Sequence, residues 1–145
     1  MVSVMVAERR PRQARSLDLL AGHRLEYVRL GHAVVLGFSG ARQVVIETPA
    51  ELDGPGGRAQ IEPGENPSDI LATLLGEVVR SARARDTGEL QISFGSGARL
   101  RVGADAEFES WALTGPDGLL VVCLARGELA VWGDTGLSAD EGYRG

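Results

Sequence analysis

The chain has 145 residues, enough for one hydrophobic core and too few for two cores with a linker. Hydrophobic residues make up 43% and charged residues 24%, and no apolar run approaches the ~20 residues that span a bilayer, which excludes a disordered or helically membrane-spanning class. The net charge of −5 divides into +3 on residues 1–15, −2 on 134–145 and −6 between them; an acidic body repels phosphate backbones, so nucleic acid is not an expected partner.

Residues 1–16 read as a flexible Arg-rich arm, 134–145 as a flexible tail, and 17–133 as a single domain. The opening "MVSVMVAERRPRQAR" sets its apolar residues before its arginines, the reverse of a secretory signal, so a cytoplasmic location is expected. From Gly22 the chain turns to strands. "HRLEYVRL" alternates, with Leu25, Tyr27 and Arg29 on one side and Arg24, Glu26, Val28 and Leu30 on the other. "AVVLGF" and "RQVVIET", separated at Ser39-Gly40, read as a β-hairpin, so the first half is a three-strand meander. Residues 49–67 hold four Pro and four Gly and read as a long loop with room for one short strand at "RAQIE".

A helix is predicted from Pro67 to about Arg85. Asn66 suits its N-cap, Asp69 favours the N-terminal dipole, and Leu71, Leu74, Leu75, Val78 and Ala82 recur at helical spacing. Beyond Gly88, "ELQISF", "RLRVG", "EFESWALT", "LLVVCLA" and "ELAVW" read as an antiparallel meander with Gly turns between. "FSGAR" at 38–42 and "FGSGAR" at 94–99 invite comparison with glycine-rich phosphate loops. However, Leu100 stands where the last glycine of G-x-G-x-x-G belongs and a strand, not a helix, follows; both are turns of similar hairpins.

Candidate chemistry is sparse. His23 and His32 sit at the two ends of one strand, roughly 25–30 Å apart at ~3.3 Å per residue, too far to share a metal or a proton relay. The single Cys123, inside "LLVVCLA", reads as a buried thiol. No cofactor, no metal site and no catalytic residue are expected. Asp105, Glu107 and Glu109 share one face if "DAEFES" is extended, exposed and faced by Arg99 or Arg101. Trp111 suits the core and Trp132 suits either core or a partner anchor.

"EFESWALTGPDGLLVVCLARGELAVW", with "GELQISFGSGARLRV" and "LAGHRLEYVRL" before it, resembles a family of small bacterial domains of unknown function common in GC-rich genomes. Its marks here are Glu109-Ser110-Trp111 and Leu129-Ala130-Val131-Trp132. The resemblance implies a class and no mechanism, and some families of similar size are immunity partners of secreted toxins.

The expected fold is α+β: one curved antiparallel sheet of about seven or eight strands with one helix packed on one face. The uncovered face makes a homodimer or a protein partner the expected association, with no membrane. A non-catalytic, immunity-like interaction module is the leading function, with Glu109, Trp111, Trp132 and Arg99 as its binding residues. One alternative is a small-ligand domain with its pocket near Trp111; the other is a small enzyme using His23 or His32 with a carboxylate.

Overall fold

The computed structural model describes residues 8–10, 14–65 and 68–133. Among them, thirteen strands form two antiparallel sheets. The seven-stranded sheet runs in the order β1 (Glu8–Arg10), β13 (Leu129–Trp132), β12 (Leu120–Cys123), β11 (Trp111–Thr114), β5 (Arg42–Ile46), β4 (Val34–Phe38), β3 (Leu25–Leu30). The six-stranded sheet runs β2 (Arg15–Ser16), β8 (Val79–Ala84), β9 (Leu90–Phe94), β10 (Arg99–Val102), β6 (Ala50–Gly54), β7 (Gly57–Ile61).

Alternation along the strands explains why the two sheets stack. In the first sheet Leu36, Val44, Ile46, Leu113, Val121 and Val131 are buried; in the second Leu90, Ile92, Phe94, Leu100 and Val102 are, and all join one core. Each such side chain withdrawn from water contributes about 1.5–3 kcal/mol, and sheets with one apolar face must spend it on another layer. The result is a β-sandwich.

This corrects the expected α+β fold of one curved sheet of seven or eight strands covered by a helix. The helix shrinks to α1 (Ser68–Ala72), and the rest of the predicted span is turn followed by β8. Gly76, at φ +85, breaks the helical repeat, and Glu77 N already bonds back to Leu74 O in a turn. Val79, Ala82 and Ala84 then point into the core from a strand that carries a register shift between Val79 and Ser81, a bulge that disguised the alternation. Asn66 and Pro67, read as cap and first turn, lie outside the described residues.

Other boundaries also moved. The loop expected over 49–67 contains a hairpin, β6 and β7, closed at Pro55-Gly56, with Arg58 to Ile61 in its second strand. The C-terminal meander divides: β9 and β10 belong to one sheet, β11 to β13 to the other. The β3–β4–β5 meander stands as expected, as do both Gly turns and the buried Cys123. Within β3 the expected sides are corrected. The register shifts between Leu25 and Tyr27, so Leu25 joins Val28 and Leu30 toward the core while Tyr27 and Arg29 face out. Of the segment read as an arm, Glu8–Arg10 pairs with β13 and Arg15–Ser16 with β8; residues 1–7, 11–13 and 134–145 lie outside the described residues.

Candidate functional site

The four residues singled out from sequence occupy four different environments. Trp111 is 1% exposed, and its indole Nε1 donates to the carbonyl oxygen of Gly88 at 2.9 Å. Cys123 Sγ lies 3.5 Å from the same oxygen. Gly88 closes the β8–β9 turn of one sheet and Trp111 belongs to the other, so this hydrogen bond joins the two layers. Beside it Gly88 and Gly127 meet backbone to backbone: a Cβ on Gly88 would stand 2.4 Å from the Cα of Gly127.

Glu109 is exposed and ends a bend, not a strand. Asp105 Oδ2 accepts from Glu107 N at 2.8 Å and Phe108 N at 3.0 Å, which folds "DAEFES" into a side-chain-capped turn and removes the single face expected for its carboxylates. Trp132 is half-buried at the outer side of β13, opposite Leu120, whereas Trp111 is opposite Cys123. Those two positions on β12 are about 10 Å apart at ~3.3 Å per residue. Arg99 is exposed on β10, in the other sheet. The structure therefore does not bring Glu109, Trp111, Trp132 and Arg99 together. Of the histidines, His32 is exposed, and His23 Nδ1 lies 3.0 Å from the Ser39 hydroxyl.

What the fold does assemble is two unlike outer faces. On the six-stranded sheet the outward residues are polar, Gln91 and Ser93 among them, or charged. Arg101 Nη2 donates to Glu51 Oε1 at 2.8 Å and to Asp53 Oδ2 at 2.9 Å, and Arg58 Nε donates to Asp53 Oδ1 at 2.9 Å. A cleft of about 300 Å³ adjoins this ladder, lined in part by Glu51, Gln60, Glu89 and Arg101. On the seven-stranded sheet, pairing places Val35, Val45, Ala112, Val122 and Ala130 in one outward row. Gly37, Gln43, Thr114, Leu120 and Trp132 form the next. The middle of that face carries no charge, the register sets Arg29 and Arg9 at the two ends of its first row, Val122 and Ala130 are buried, and Val35, Val45, Leu120 and Trp132 are half-buried.

Both faces were open to detection by strand alternation. "ELD" sets two acids two apart and "RAQ" an arginine and a glutamine, on either side of Pro55-Gly56, and "VVLGF", "RQVVI" and "LLVVC" show apolar residues at both parities. The missing knowledge was which runs are neighbours.

The bond from Arg58 holds the Asp53 carboxyl below its ordinary 3.8; desolvation, the next largest influence, opposes it, and the positive fields of Arg58, Arg101 and Arg99 add to the lowering. A carboxyl with a depressed folded pKa stabilises the fold above its unfolded value, and that contribution vanishes as pH falls through the folded one. Asp53→Asn is therefore expected to unfold at a slightly lower temperature than the wild type at neutral pH. The two melting curves should converge as pH drops below 3.8; a constant gap would rule out the ladder as its origin. The effect is small because both partners are solvated.

Among the described residues no three of His, Cys, Asp and Glu converge as a metal site, and no helix is long and apolar enough to cross a membrane. Fold and faces together define an antiparallel β-sandwich with one charged and one apolar outer face. The chain belongs to a family of unknown function, DUF6188, whose model matches residues 16–133. No curated protein and no solved structure matches it.

Proposed function

We propose that the chain is a non-catalytic protein-interaction module that receives a basic protein partner on the outer face of its seven-stranded sheet. The observation that supports this reading is the apolar row from Val35 to Ala130, with Leu120 and Trp132 beside it, on the side of the sheet turned away from the core. Water-facing sheets ordinarily alternate to polar residues, and an outward apolar face with a tryptophan suits the centre of a binding surface. The acidic balance of residues 16–133 supplies the long-range attraction to a basic partner. Immunity toward a secreted toxin is one instance of such a role, by analogy alone. Fifteen arginines without a lysine fit a bacterium with a GC-rich genome, and a cytoplasmic setting goes with that reading.

The ligand-binding alternative placed its pocket beside Trp111, whose side chain instead fills the core. The enzyme alternative asks for a carboxylate on a histidine, and His23 faces the Ser39 hydroxyl.

Native mass spectrometry of the protein isolated from its host tests the proposal, with Leu120→Arg alongside. A stoichiometric basic protein should be retained by the wild type and lost from the variant, at a melting temperature within a few degrees of the wild type. A small-molecule adduct of a few hundred daltons, or a partner indifferent to Leu120→Arg, would overturn it.

A further inference from the structure

Beyond that face, the β3 edge carries a second and independent surface. β3 ends the seven-stranded sheet, and among the described residues its side away from β4 bonds to the chain only at Leu25. There Leu25 N donates to Glu77 O and Gly76 N to Leu25 O, each at 2.9 Å. From Glu26 to Leu30 the edge runs alongside a groove of about 330 Å³ lined by Glu26, Tyr27, Val28, Leu30, Ala72 and Leu75. Tyr27 is 38% and Leu75 48% exposed. An edge strand is usually guarded by proline, by inward-pointing charge or by a covering loop. Here Val28 and Leu30 face inward, Glu26 is the one acid on their side of the strand, and no proline interrupts it.

We propose that a second copy of this chain pairs here, β3 against β3 and antiparallel, about a two-fold axis through Val28. A two-fold axis normal to the sheet keeps every side chain on its own side, so only like-sided residues oppose one another. Centred on Arg29, the pairing sets two guanidinium groups face to face. Centred on Tyr27, it needs the edge of Leu25, which Glu77 occupies. Centred on Val28, it sets Tyr27 of each copy opposite Arg29 of the other on the outer side, and Glu26 opposite Leu30 on the inner one. Each cation then meets a ring.

Within one copy the ring is fixed on the β4 side of β3, beside its own Arg29. Tyr27 lies flat over Gly37, where a Cβ would stand 2.1 Å from it, and Gln43 Nε2 donates to its hydroxyl. The Arg29 Cζ sits 5.6 Å from the ring centroid. On the inner side, Val28 and Leu30 of both copies and the two Leu75 side chains close over the axis, covering the groove.

Cysteine cross-linking of the full chain reads both the dimer and its register. Directly opposed strand residues lie within disulfide reach. Under mild oxidation Val28→Cys should therefore give a covalent dimer alone, whereas Tyr27→Cys and Arg29→Cys should cross-link only when mixed. Sedimentation equilibrium should return twice 15.3 kDa for the wild type. A monomeric wild type, or cross-linking of Tyr27→Cys to itself as readily as Val28→Cys, would overturn the proposal. A dimer that Leu120→Cys captures and Val28→Cys does not would overturn it as well. A monomeric wild type leaves the outer-face reading untouched, so the two fail separately.

Discussion

Gly88→Ala should lower the melting temperature by roughly 10 °C or more, at the ~2–8 °C per kcal/mol that domains near this size show, or abolish soluble expression. Gly88 has φ +90, a conformation costing about 1–2 kcal/mol for an L side chain. The larger effect is steric. The new methyl would stand 2.4 Å from Gly127 Cα and 2.7 Å from its carbonyl oxygen, while Gly127 itself leaves no slack, since a Cβ there would meet Thr87 O at 2.2 Å. Both obstacles are backbone, so relief requires the β8–β9 turn to move off the turn before β13, and with it the carbonyl that receives the Trp111 indole. A lost buried hydrogen bond adds about 1–3 kcal/mol. Gly97→Ala is the matched control, with φ +98 and open space around it, and should show the conformational cost alone. Equal melting temperatures for the two variants would remove the glycine contact from the account.

The second large effect belongs to Trp111. Trp111→Ala should destabilise the chain by about 3–5 kcal/mol in urea unfolding, since an indole this deeply buried leaves a cavity that strands on both sides hold open. Trp111→Phe retains most of the apolar volume and leaves the Gly88 carbonyl to the weak Cys123 thiol, for a loss of about 1–3 kcal/mol. Trp132→Ala, at a half-buried outer position, should cost less than either. If Trp132→Ala proved the costlier, the core would be organised around the wrong tryptophan.

Sequence patterns reached the local structure more surely than the pairing. Val34 to Ile46 and Leu120 to Trp132 were legible as hairpins because their alternation and turn glycines are short-range signals. The helix over Pro67 to Arg85 was misread because leucines at 71, 74 and 75 fit a helical face. Past Gly76, small alanines in a bulged strand carry little β signature. The division into two sheets was not legible at all: "RLRVG" and "EFESWALT" are neighbours in sequence, yet β10 pairs with β6 and β11 with β5. Of the candidate site, Trp111 was foreseen as core and Trp132 as a surface tryptophan or core residue. The outward apolar rows needed the register between distant strands before they could be seen.

The pairing of β5 with β11 also sets a clock during synthesis. About 65 residues separate Ile46 from Trp111. At ~5–20 residues per second the finished β3–β4–β5 meander waits roughly 3–13 s on the ribosome for its next neighbour. Throughout that interval β5 presents an unpaired backbone edge, and the sheet that covers Val34, Leu36, Val44 and Ile46 is still being made, its β6 to β10 leaving the ribosome in turn. The nascent chain is thus most exposed to misassociation midway through translation, when a chaperone that masks apolar strands has most to protect.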